Sequence, residues 1–458
     1  MPRRPRIVLR ERLSALVSYV PIFLPPLGLV LLLGLSLRLL LSLEPGNGFD
    51  VGINQGWGLS AVKLGLARSY VEQVNGNMIP NYPPLGLMIF SWVGHLYQFF
   101  VSADFDTSLL AYRVAIKLPA IFADLATTAM LYSVVRFWKN ETQGIVAAVI
   151  YALHPAVLYD SAVWGQTDSV FTMFMVAALW EHSRGRWYLS PANAALAILA
   201  KAQAIMLYPF FAVIYTRTLS TFIRGLAVGL AMIALVLAPY MIGGTLEAAL
   251  NVYRTSVGFY PIVSSAAYNF WWALFADQAM QMNDHDLFFD LIAYRTLGYT
   301  IFFSIYGIVI ATLWRHLRAE PSKTTGLVLF SAAAIFAQAF FLFNTEMHER
   351  YLFPYVAFGL PMAFLGRKQA MAYAAVSLLF LWNMLGWLPY TEFDRQVYSR
   401  IPMFDVGVAW SQLFLFFMQL KWTLDLRHLP VSKPTKKRLF FRQIVTLLRG
   451  WLPKVRKT

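Results

Sequence analysis

The chain has 458 residues, of which 58% are hydrophobic and only 13% charged, with a mean hydropathy of +0.55. That apolar share is above the range of soluble globular domains and reads as an all-α polytopic membrane protein. Cysteine is absent, which excludes disulfides, thiolate metal sites and thiol nucleophiles. The net charge of +15 takes its meaning from where the charges sit, and their placement gives no reason to expect a nucleic-acid partner.

The first eighteen residues are basic and precede an apolar stretch, 19–43, that is too long for the core of a signal peptide. Hydropathy then marks eleven more candidate spans: 113–137, 144–162, 167–183, 190–203, 205–217, 222–242, 290–315, 324–344, 351–366, 370–390 and 403–424. Several fall short of the ~20 residues that a perpendicular helix needs, so half-length helices are expected among them. With the N-terminus inside, Lys and Arg concentrate in the N-terminal segment, in every short turn on that side, and in the segment from Asp425. The positive-inside rule then places both termini in the cytoplasm. The stretch 83–101 looks like a span, but counting it would invert every later turn. It is read as a helix on the outer surface, polar at Ser91, His95 and Gln98. Two long external loops result, 44–112 and 243–290. The segment 425–458 is basic with interleaved apolar residues and reads as an amphipathic helix on the inner leaflet. No internal repeat is evident, which disfavours a transporter built from duplicated halves.

The outer side retains chemistry-bearing residues. The run from Gly48 to Leu59 carries Asp50 and Trp57 and reads as a glycine-rich, non-helical loop, so a carboxylate stands at the membrane boundary without a packing role. Asn81-Tyr82-Pro83-Pro84-Leu85 closes that loop. Asp124, His154 and Asp160 follow within spans, and Trp164-Gly165-Gln166-Thr167-Asp168 lies at an outer turn. Lys201-Ala202-Gln203 sits between two half-length helices, Arg254 in the second loop, and His348-Glu349-Arg350-Tyr351 at the head of the tenth span. Asp124 and Asp160 could equally be hydrogen-bonded bundle residues, Asp168 a helix cap, and Glu349-Arg350 a salt bridge. Convergence favours a site. Asp50, Lys201, Arg254, His348 and Arg350 come from five regions and reach one membrane face, which suits an anionic headgroup and a base.

These motifs resemble the GT-C membrane glycosyltransferases, which take a sugar from a polyprenyl-phosphate carrier. The chain is similar to the branch holding the glucosyltransferases of N-glycan precursor assembly and relatives of GPI-anchor mannosyltransferase II. The resemblance runs nearly end to end, over a catalytic domain at 19–424, and rests on six elements in order. They are Asp50 with Trp57, Tyr82-Pro83-Pro84-Leu85, Ala123-Asp124-Leu125, Trp164-Gly165-Gln166-Thr167-Asp168, Lys201-Ala202-Gln203 and His348-Glu349-Arg350. Asn81 stands where the eukaryotic glucosyltransferases have an acidic residue. Asp168 and Arg350 replace their Asn and Lys, which suggests bacterial or archaeal relatives and a prokaryotic plasma membrane.

The resemblance implies a GT-C fold of about twelve transmembrane helices and an inverting transfer of a hexose, mannose or glucose, to an acceptor hydroxyl on the external face. A single base suffices for such a displacement, and cations stabilise the departing polyprenyl phosphate. Asp50 is assigned as base and Lys201, Arg254, His348 and Arg350 as the phosphate-binding set. Trp57, Tyr82, Gln166 and Asp168 are assigned to sugar or acceptor, with Trp271 and Trp272 as further stacking candidates. The implied partners are the lipid-linked sugar donor, a glycan, lipid-linked glycan or other hydroxyl acceptor, and membrane lipid. No metal or other obligatory cofactor is expected. The competing reading is a lipid or solute transporter using the same cations as a headgroup site.

Overall fold

The computed structural model describes residues 25–216 and 218–430. The basic N-terminal segment, the start of the first expected span and the expected amphipathic helix beyond Asp425 lie wholly or mostly outside the described residues. Helix α1 (Pro26–Leu41) opens with proline in its first turn, where the missing N–H has no partner to lose.

The run from Gly48 is helical, not a loop: α2 spans Gly48–Leu64. The Asn47 side chain accepts the amides of Phe49 and Asp50, and Asp50 in the first turn meets the positive end of the helix dipole. Two of the glycines serve close packing. A Cβ on Gly58 would collide with the Tyr112 hydroxyl. One on Gly94, in α3 (Pro84–Phe100), would lie 2.8 Å from the Gly58 carbonyl oxygen. Glycine spacing therefore lets α2 and α3 pack closely. Helix α3 exposes Trp92, His95, Leu96, Phe99 and Phe100 and turns Ser91 inward. Its outer face is more apolar than expected.

The chain continues through α4 (Leu110–Trp138) and α5 (Glu141–Ala152), which bends by 45° into Pro155–Trp164. Then come α6 (Asp168–Ser183), α7 (Leu189–Ala200), a tight turn at Ala202–Leu207 leading into α8 (Tyr208–Tyr215), and α9 (Leu219–Ile242). The second long loop holds α10 (Leu246–Thr255), α11 (Phe270–Phe275) and an antiparallel pair, β1 (Leu287–Phe288) with β2 (Ile292–Ala293). Helices α12 (Tyr294–Leu317), α13 (Lys323–Phe343), α14 (Phe353–Ala363) and α15 (Arg367–Trp387) follow. The short α16 (Glu392–Arg400) turns by 90° into α17 (Phe404–Asp425).

Helices occupy all twelve expected spans, but their lengths differ. Among the described residues α4, α9, α12, α13 and α15 are long and apolar enough to cross a membrane, and the two bent pairs raise the number to seven. Helices α1, α7 and α14, and the stretch Ala202–Tyr215, are shorter apolar helices. The breaks have local causes. Pro155 restarts the chain after His154, and Lys201 adopts extended backbone between α7 and the turn that follows. The apolar window of α13 is 89% buried and that of α9 only 22%, so α13 is the central helix and α9 faces outward.

The two ends of the bundle differ chemically. At one end the basic turns meet: the Trp138 ring packs on Phe330, Lys323 Nζ lies 5.4 Å from the Phe137 ring centroid, Gly185 abuts Pro321, and Arg318 donates to the Thr216 carbonyl at 2.9 Å. Helices α4 and α6 run toward that end and α13 runs away from it. The starts of α2 and α6 and the loop 344–352 are therefore assembled at the other end.

Candidate active site

Asp50 is half-buried in the first turn of α2. Its Oδ2 accepts the indole N–H of Trp164 at 2.7 Å, and Oδ1 receives no hydrogen bond from a described residue. Trp164 is fully buried at the end of the wound turn Tyr159–Trp164, just before Gly165 at φ +91°. A π-type turn of this kind recurs at functional sites because the extra residue re-aims side chains.

Behind this pair lies a buried ionic network. Asp168, in the first turn of α6, accepts Lys201 Nζ at 2.7 Å, and its other oxygen stands 3.6 Å from Arg350 Nε. Arg350 Nη1 donates to Glu349 at 2.7 Å, and His348 Nδ1 is 3.7 Å from the other Glu349 oxygen. Burial opposes ionisation of Glu349, but Arg350 and His348 overcome it and hold the carboxyl at about 2. Arg350 is likewise held in its charged form, against burial, by Glu349, Asp50, Tyr351 and Asp168. Asp160 is fully buried beside this network, and neither of its side-chain oxygens has a hydrogen-bond partner among the described residues.

The expected sugar-binding side chains divide into two groups. The Tyr82 hydroxyl donates to Gln166 Oε1 at 3.2 Å, and the Tyr82 ring lies 5.3 Å from Lys201 Nζ. Both residues therefore adjoin the network, as does Asp168. Trp57 is 1% exposed, donates its indole N–H to the Met78 carbonyl and is covered by Tyr82 and Phe90. Its ring offers no open face. Trp271 and Trp272 are also buried, donating to the Phe343 carbonyl and to Asp405. All three act in packing here.

Of the five residues expected to converge, Asp50, Lys201, His348 and Arg350 adjoin one network. Arg254 is exposed in the last turn of α10. The loop after it returns to the site: Gly258 N–H donates to Glu346 at 2.8 Å, and the Tyr260 ring meets His348 at 5.4 Å. Asp124 takes the bundle role. Arg38 Nε donates to it at 3.0 Å with both side chains fully buried, and Ser161 adds a second hydrogen bond.

Sequence reading missed the Trp164 indole as partner of Asp50 and the Asn47 cap, whereas the Glu349–Arg350 salt bridge was among its alternatives. The cap was detectable, since Asn directly before an Asp-bearing segment is an N-terminal helix signal. The indole contact joins residues 114 positions apart, and no local pattern reports it. Among the described residues no three His, Asp or Glu side chains converge as a metal site would require.

No curated protein matches the chain. Among solved structures it is similar to the crystal structure of ArnT from Cupriavidus metallidurans bound to undecaprenyl phosphate. The identity is 14%, the match covers 87% of this chain and 76% of that one, and the TM-score is 0.48. Residues 109–242, from the start of α4 to the end of α9, match the family model of dolichyl-phosphate-mannose-protein mannosyltransferases, and Trp164, Gln166, Asp168 and Lys201 all lie within that stretch.

Proposed function

We propose that this protein is an inverting GT-C glycosyltransferase that moves a hexose from a polyprenyl-phosphate carrier to an acceptor hydroxyl on the external membrane face. The observation that carries the reading is the Asp50 carboxylate, with one oxygen fixed by Trp164 and the other open. A base of this kind takes the acceptor proton as the oxygen attacks the anomeric carbon. The bond from that carbon to the phosphate oxygen breaks on the opposite face, and the carrier leaves as its phosphate. The match of 109–242 to a family whose name includes a lipid-phosphate sugar supports the donor class.

Charge balance distinguishes the cations. Lys201 and Arg350 are buried and already matched by Asp168 and Glu349, so they preorganise the site more than they offer free charge. Arg254 and His348 are the members of the phosphate set best placed to meet an incoming headgroup. Arg254→Ala should raise the donor KM by roughly 10- to 100-fold and leave acceptor use nearly unchanged, because a charge-assisted bond to phosphate contributes about 1.5–3 kcal/mol. Arg254→Lys should recover only part of the loss, since an ammonium lacks the guanidinium fork. Initial rates against donor concentration at saturating acceptor, together with binding of the spent polyprenyl phosphate, decide the matter. Unchanged carrier binding would move the phosphate role to Lys201 and Arg350.

The basic turns gathered at the end of the bundle opposite the site support an external active site. The chain has no cysteine, so single cysteines report cleanly. Ala103→Cys should react with an impermeant thiol reagent added to intact cells and Lys323→Cys should not. The reverse pattern would place the site in the cytoplasm.

A further inference from the structure

Lys117 lies in the first third of α4 and is fully buried, yet no carboxylate pairs with it among the described residues. Its ammonium instead meets four backbone carbonyls: Ser42 at 3.3 Å, Glu44 at 2.8 Å, Ala162 at 3.0 Å and Val163 at 3.0 Å. Three N–H bonds shared over four acceptors satisfy a buried cation without a counter-charge. A side chain serving only packing would need no charge at this depth.

The four carbonyls belong to two chain segments. Ser42 and Glu44 follow α1 and lead to Asn47 and Asp50. Ala162 and Val163 directly precede Trp164. The segments also touch each other: Asn47 N–H donates to the Trp164 carbonyl at 3.1 Å, and Gly46, at φ +75°, has no room for a side chain, since a Cβ would lie 2.6 Å from that same oxygen. One turn earlier on α4, Arg113 donates to the Leu43 carbonyl at 2.9 Å. Gly165 closes over the lysine stem, where a Cβ would be 3.2 Å from Lys117 Cε.

We infer that Lys117 is a positioning residue that fastens the segment bearing Asp50 to the segment bearing Trp164 and so fixes the orientation of the Asp50 carboxylate. The inference rests on the proposed role of Asp50 as base. The clamp contacts no substrate; it acts through the geometry of the pair. A displacement of about 1 Å at a reacting group can lower a rate by roughly 10²-fold.

Lys117→Met keeps the length of the stem and removes the charge. It should lower kcat by roughly 10²-fold with the donor KM changed by less than about 3-fold, since only orientation in the transition state is lost. Combined with Trp164→Phe, it should cost no more than the worse single variant, because both act on one contact. A nitroxide on Phe49→Cys, one residue from Asp50 and exposed, should become more mobile in the Lys117→Met background. Lys117→Gln, which retains two donors, should recover part of both effects, and it carries the same measurements if Lys117→Met does not fold. Multiplying effects in the double variant, or an unchanged kcat and label spectrum, would overturn the clamp. If the wild-type protein transfers no sugar from a polyprenyl-phosphate donor, the reaction reading fails and the label spectra still decide the clamp.

Discussion

Asp50→Asn is expected to remove nearly all turnover while leaving the fold and donor binding in place. The amide oxygen of the variant can still accept the Trp164 N–H, and the Asn47 cap involves only backbone amides at positions 49 and 50, so local geometry survives. What disappears is the capacity to take a proton. General-base catalysis contributes typically 10²- to 10⁴-fold, so kcat should fall by about that factor. Single-turnover assays with labelled donor separate this loss from a change in binding. A variant keeping more than about a tenth of the wild-type rate would have lost no more than ~1.4 kcal/mol of barrier lowering, and Asp50 would then not be the base.

Asp168→Asn should act on stability first. One buried carboxylate stands between Lys201 and Arg350, and Glu349 compensates only the arginine. Neutralising Asp168 leaves the lysine ammonium buried without a counter-charge, which typically costs about 3–5 kcal/mol. The thermal midpoint in detergent should therefore fall markedly. Adding Lys201→Met to Asp168→Asn should restore much of the loss, because removing both members of a buried pair costs far less than removing one. A single variant that melts with the wild type would show that this network does not hold the site together.

Much of the architecture was legible in local patterns. Apolar runs and basic turns are properties of neighbouring residues, and they marked the helix positions, the half-length helices on either side of Lys201 and the separation of basic turns from the site. Motif order likewise singled out Asp50, Tyr82, Gln166, Asp168, Lys201 and Arg350, which the fold brings to one end of the bundle. The glycine-rich stretch misled for a physical reason. Glycine disfavours a helix through backbone entropy, but at Gly58 and Gly94 the close approach of two helices leaves no room for a larger residue.

Composition, hydropathy and charge placement by themselves determined that this is a helical membrane protein with its chemistry-bearing residues gathered away from the basic turns. Only the tertiary structure decided what each polar residue does. It paired Asp124 with Arg38 inside the bundle, enclosed Trp57, Trp271 and Trp272 in packing, matched Lys201 with Asp168, and set the Trp164 indole against Asp50. The reason is range. A span is specified by some twenty consecutive side chains, whereas the state of a buried charge depends on partners more than thirty to a hundred residues away that meet only when the helices pack.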